Sequence, residues 1–174
     1  MSNYITTNNA EGKAVFTDKI PAPRYKIDTP NLTIEFVYTS HKSIPDLSTE
    51  KDIDQYVHDR INGLGPRGAM PPEGVAIAIL TWKANAIAPW HRIMTVDTLY
   101  VIEGDMEFQL DGGETRILHA GDSVVGRATM HTGRNVTPNG GVVKLVGCSV
   151  PVIMPVMVGE HELHAEWIER ELKN

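Results

Sequence analysis

The sequence predicts an all-β domain, and three observations predict it. The longer apolar runs are rich in β-branched and aromatic residues, Leu32 to Thr39 (LTIEFVYT) and Val75 to Trp82 (VAIAILTW) being the clearest. Between Pro89 and Asn135 the chain meets three turns, Glu103-Gly104-Asp105, Asp111-Gly112-Gly113 and Ala120-Gly121-Asp122. Glycine accepts a positive φ there and aspartate bonds its own backbone, so the chain folds back repeatedly. Met106, Phe108 and Leu110 alternate with Glu107, Gln109 and Asp111, the period of a half-buried strand. Short strands in such numbers hide their edges by closing or sandwiching, so a closed or sandwiched β architecture is expected.

A chain of 174 residues is most simply one domain with room for a real core, and no internal repeat divides it. Its 41% hydrophobic and 22% charged residues exclude disorder. A net charge of -6 argues against a nucleic-acid partner, which needs a basic surface. The single Cys148 cannot form an internal disulfide and reads as a small buried residue. The N-terminal residues lack a signal-peptide pattern, and no apolar run has the length of a membrane span. The expectation is a cytoplasmic protein whose partner is a small molecule rather than a membrane.

In chain order, residues 1–31 are polar and interrupted by Pro21 and Pro23, which suits an N-terminal arm packed on the domain or on a second subunit. Residues 32–158 form the β domain. Leu32 to Thr39 is its first strand. A helix follows, capped by Ser48 or Thr49, with Ile53, Val57 and Ile61 as its buried stripe and Asn62-Gly63 at its end. Asn62 to Gly74 is a Gly/Pro loop and a candidate lid. Val75 to Trp82 reads as a strand buried on both faces, followed by strands at Met106 to Leu110, Thr115 to Leu118, Ser123 to Gly126 and Val142 to Val152. In residues 159–174, charge mixes with Leu163, Trp167, Ile168 and Leu172, which predicts a C-terminal amphipathic helix over Glu160 to Leu172.

The stretch from Pro89 to Asn135 carries a resemblance. His91, Asp97 and Gly104 match the first His, the Glu and the closing Gly of the motif G(x)5HxH(x)3-4E(x)6G. His131 and Asn135 match the H(x)3N of G(x)5PxG(x)2H(x)3N, and Gly121 stands for its leading Gly with the intervening stretch one residue shorter. These are the two motifs of the cupin superfamily, which the chain resembles. The resemblance implies a cupin-type jelly-roll β-barrel with its active site inside, assembled as a homodimer. The departures from the pattern include Ile93 for the second His, Asp97 for the Glu and, counted from Gly121, Arg127 for the Pro and Thr129 for the second Gly.

His91, Asp97 and His131 are the candidate catalytic residues and the candidate metal ligands. Two imidazoles and a carboxylate can hold Fe, Mn, Ni or Zn with open positions for substrate or oxygen. Yet Ile93 cannot coordinate, and Asp97 reaches roughly 1.5 Å less than a Glu against a bond tolerance of about ±0.2 Å. Without a metal, His91 paired with Asp97 can act as acid or base, with His131 as a second acid or an anchor. In a continuous strand, the even spacing of His91 and Asp97 puts both on one face. Trp82, Phe108 and Met106 are candidate apolar substrate contacts and Arg127 a candidate anion partner, with Arg134 a weaker one. Tyr100 has the opposite parity to Asp97 and turns away. His41, His58 and His119 are expected to face solvent, as are His161 and His164.

The resemblance implies an enzyme of a small-molecule or natural-product pathway. The reading placed first is lyase or isomerase chemistry on a small organic acid, phenol or polyketide-type intermediate, with a divalent metal or none. A metal-dependent dioxygenase using the same three residues is the alternative enzyme, and a small-molecule binding protein without turnover the alternative of another class.

Overall fold

The computed structural model describes residues 2–20, 24–65 and 70–168. Pro21, Pro23, the middle of the candidate lid and Leu172 lie outside them. Strands β1 (Thr6–Asn8) and β2 (Ala14–Phe16) form a hairpin in the N-terminal arm, followed by β3 (Ile27–Asp28), β4 (Leu32–Ser40) and helix α1 (Lys51–Asn62). Then come β5 (Val75–Trp82), β6 (Trp90–Arg92), β7 (Thr95–Glu103), β8 (Met106–Leu110), β9 (Thr115–Leu118), β10 (Ser123–Arg127) and β11 (His131–Asn135). The last are β12 (Val143–Pro151), β13 (Val156–Val158), β14 (His161–Leu163) and β15 (Glu166–Ile168).

Two antiparallel sheets make the barrel, one ordered β10-β7-β12-β5-β4-β3 and the other β15-β6-β11-β8-β9. Apolar residues of both meet in the core: Trp82, Val101, Val143 and Leu145 from the first, Met106 from the second. The fold is all-β with one α-helix among the described residues, as the strand pattern predicts. β5, whose apolar run is near-continuous, lies between β4 and β12 inside the larger sheet, and none of its residues is exposed.

The arm packs on the domain. Ile20 is buried with Ile53 and Tyr56 of α1, and the Asn3 amide donates to the Val37 carbonyl and the Tyr56 hydroxyl, each at 2.8 Å. The helix differs from the sequence expectation in two ways. Glu50 occupies the N-cap position without a side-chain hydrogen bond, so neither Ser48 nor Thr49 caps it. Its buried face carries Ile53, Tyr56, Asp59 and Arg60, while Ile61 is 51% exposed. A polar buried stripe is invisible to a count of apolar spacing.

Asp59 explains that stripe. Its carboxylate accepts hydrogen bonds from Thr39 (2.6 Å), His41 Nε2 (2.8 Å) and Gln55 (3.0 Å), and His58 Nδ1 lies at 3.4 Å. His41 and His58 face solvent as expected, and His41, on the loop after β4, also ties α1 to that strand through Asp59. Burial pushes the Asp59 carboxyl up, and these hydrogen bonds outweigh it, holding the group below its ordinary range. Asp59→Ala is expected to cost about 3 kcal/mol in urea denaturation at pH 7. The depressed folded pKa puts this contribution in full above the unfolded carboxylate value. It fades as pH falls through the folded value, so variant and wild type converge in acid.

The C-terminal prediction is corrected. Residues 161–163 and 166–168 are strands: β14 pairs with β13 through a turn at Gly159, and β15 joins the sheet beside β6. The spacing of Leu163 and Trp167 is compatible with a helix. The ladder on β6, in which Trp167 stands opposite His91, wins instead.

Candidate active site

His91 and His131 are direct cross-strand partners on β6 and β11. Their ring centroids lie 4.3 Å apart at 54°, and Phe108 stacks on His131 at 4.9 Å and 21°. Each imidazole donates through Nδ1 to the carbonyl two residues before it, His91 to Pro89 and His131 to Thr129, both at 2.9 Å. A backbone carbonyl can only accept, so these bonds fix the tautomer and leave the Nε2 of a neutral ring with the lone pair. Burial, joined by the neighbouring His91, pushes the His131 pKa down, against opposition from Thr129 and Asp97. His131 is therefore neutral at pH 7.

Asp97 reaches the same cavity by another route than the continuous strand expected. The chain leaves the smaller sheet after Arg92 and enters the larger one at Thr95, so His91 and Asp97 stand on different sheets. Interior parity survives the corner, because His91, Ile93, Asp97 and Leu99 all line the cavity. Asp97 Oδ2 accepts from Thr95 Oγ1 at 2.7 Å. Its Oδ1 is buried with no hydrogen-bond partner among the described residues. The carbonyl of Pro89, not Asp97, sets the tautomer of His91.

The cavity measures about 130 Å³, near the ~150 Å³ of an apolar cavity that accepts benzene. Trp82, Met106 and Phe108 form its walls as expected. Arg127 is exposed and outside the lining, because its neighbour Gly126 takes the inward position of β10. Arg134 pairs instead with Glu107 at 3.0 Å. Sequence reasoning missed Leu80, Gly126, Gly133, Leu145 and Ser149. Ser149 had a signal, a hydroxyl at the same parity as Leu145 within an apolar strand; in the register it lies opposite Asp97.

Asn135, the last matched motif position, is structural. Its amide donates to the carbonyls of Lys83 (2.8 Å) and Gly141 (2.9 Å), and its Oδ1 accepts from the Thr137 amide at 2.9 Å. It clasps the end of β5 to the turn before β12.

Two imidazoles anchored through Nδ1 are compatible with a metal, since ligating histidines are held this way. A third donor does not come with them: among the described residues no three His, Cys, Asp or Glu side chains converge on a point that could hold an ion. Oδ1 of Asp97 is the nearest thing to an unused donor, and it belongs to the opposite sheet.

Comparison with known proteins bears on the fold. The Cupin domain model matches residues 78–146, the span from β5 into β12. The "Cupin-domain-containing oxidoreductase virC" of Hypocrea virens is 32% identical over 79% of this chain and 68% of its own. The protein belongs to the cupin family. This cupin is also 34% identical to "Oryzines biosynthesis cluster protein J" of Aspergillus oryzae, over 76% of this chain and 73% of the relative. "Phomopsin biosynthesis cluster protein D" of Diaporthe leptostromiformis is 30% identical over 77% and 70%. Among the described residues of the cupin, no helix is long and apolar enough to cross a membrane.

Proposed function

We propose that this cupin is an enzyme of secondary metabolism that moves a proton on a small organic acid, phenol or polyketide-type intermediate. The reaction is of lyase or isomerase type: a decarboxylation, a dehydration or a double-bond shift in the barrel interior. The observation that carries this is His131, a neutral imidazole in an apolar cavity with Nδ1 committed to a carbonyl. Its Nε2 takes the proton from a carbon or oxygen acid. His91, with its ring 4.3 Å away, enters the cycle carrying a solvent proton on Nε2 and returns it at a neighbouring atom of the substrate, after which His131 gives its own proton up to solvent. Asp97 Oδ1 accepts a hydrogen bond from a substrate hydroxyl, which partners its unused lone pairs. Phe108, stacked on His131 in the wall of the cavity, offers a flat apolar surface to an unsaturated substrate. The names of the fungal relatives, drawn from biosynthetic clusters, support a place in such a pathway.

A second reading, oxidoreduction by a metal-dependent dioxygenase or a related enzyme, is favoured by the name that several relatives carry. It requires a metal on His91 and His131 with ligands supplied from outside the present pair.

The test is turnover of a panel of β-keto acids, β-hydroxy acids and alkyl phenols in D2O, under nitrogen, after dialysis against a chelator. Solvent deuterium on a product carbon, without oxygen or added metal, is the expected result. Turnover that appears only when oxygen and Fe, Mn, Ni or Zn are restored overturns proton transfer in favour of oxidation.

A further inference from the structure

The inner cavity, at about 130 Å³, falls short of the roughly 300–1,000 Å³ typical of ligand sites. A second space of about 300 Å³ adjoins it, between β8 and β9 on one side and β10 on the other. Phe108 and Gly126 line both.

The register shows that the two are one interior. Leu110 stands opposite His131, Leu118 opposite Met106 and Val124 opposite Leu99. Cross-strand partners share a face. His131, Met106 and Leu99 line the inner cavity, and Leu110, Leu118 and Val124 line the outer space. The outer space therefore opens where the barrel does not close: β9 is an edge of the smaller sheet and β10 an edge of the larger.

We infer that the substrate has two parts, a ring-sized unsaturated head against His131 and an aliphatic tail that leaves through the seam between β9 and β10, passing Gly126. The tail is neutral and apolar, because apolar residues, leucine and valine foremost, make up most of the walls beside the hydroxyls of Ser123 and Thr129, and the outer space carries one acid and one base, Glu114 and Arg116, without a preferred charge. Gly126 is the gate residue. Its backbone conformation needs no glycine, and a Cβ there would meet Thr129 Oγ1 at 3.8 Å and Asp97 Cβ at 4.0 Å, ordinary contacts. Alanine fits; a leucine side chain fills the passage.

This inference rests on the cavity being where the substrate reacts, and binding tests it without turnover. Phenol and 4-pentylphenol are titrated by calorimetry into wild type, Gly126→Ala and Gly126→Leu. In wild type the alkyl tail is expected to tighten binding by roughly tenfold to a hundredfold. Gly126→Ala keeps most of that gain. Gly126→Leu loses it: because Gly126 lines the inner cavity too, phenol itself binds less tightly to this variant, but the ratio of the two affinities falls to about one. In wild-type NMR spectra 4-pentylphenol, unlike phenol, shifts the amides of Leu118 and Val124, which keeps the test alive should the leucine variant fail to fold. Equal affinity of the two phenols in wild type, with no shift at Leu118 or Val124, overturns the two-part substrate. Binding of neither phenol near His131 overturns the cavity as the substrate site, and the inference falls with it.

Discussion

His131→Ala is expected to lower kcat by about a hundredfold to ten-thousandfold, the range for loss of a positioned general base. The side chain holds no part of the fold that would make the loss trivial. Its hydrogen bond goes to Thr129, two residues away, and its ring stacks on Phe108. Thermal unfolding should therefore change little while kcat collapses. KM should move less than kcat, because the base acts on the transition state and the walls bind the ground state. The pH profile supplies the sign. The base works when neutral, and burial lowers its pKa, so the acid limb of kcat/KM lies below the ordinary histidine value of about 6.5. An acid limb at or above that value would remove His131 from the role. His131→Gln, which keeps a polar side chain without a titrating nitrogen, should be as inactive as the alanine variant.

Gly104→Ala should be the most damaging substitution that touches no chemistry. Gly104 sits between β7 and β8 with φ at +79°, where a side chain is strained. A Cβ there would lie 2.2 Å from the Val142 carbonyl oxygen and 2.5 Å from Thr137 Oγ1. The first obstacle is backbone and cannot rotate aside. The two effects together should cost about 3–5 kcal/mol, which for a domain of this size lowers Tm by roughly 10 °C. Gly121→Ala is the control. Its φ is also positive, at +101°, but its Cβ would meet nothing within 4 Å, so about 1 kcal/mol is expected. Equal losses in the two variants would show that strain in the turn, not the approach of Val142, is what Gly104 answers.

The strands were legible because their composition and, in Met106–Leu110, their period are those of a sheet. Val75–Trp82 and Thr115–Leu118 agree with the expected limits residue for residue, and Met106–Leu110 shows the expected alternation, with Met106 and Phe108 buried. His91, Asp97 and His131 were legible as a group through their spacing, and all three line one cavity. What local pattern could not show was how they meet. The corner at Ile93 and Met94 places His91 and Asp97 on different sheets, and only tertiary closure decides that. Arg127 was misplaced for a related reason: its position in β10 gives the inward place to Gly126, which has no side chain to advertise it. The role of Asp59 was hidden because its partners, Thr39, His41 and Gln55, come from a strand, a loop and a helix. At the C-terminus a helix-compatible spacing lost to a free sheet edge, a contest no window of sequence contains.

The ladder between β15 and β6 has a consequence for how the protein is made and handled. The strand that carries His91 is three residues long and lies between β11 and β15. On a ribosome, β6 emerges some 75 residues before Trp167, the residue that stands opposite His91. The wall that carries His91 is thus the last part of the barrel to be finished, and a nascent chain short of residue 168 carries both histidines without the strand that flanks β6. For the same reason, a purification tag or proteolytic cut placed just after β15 is a perturbation of His91, not of a remote tail.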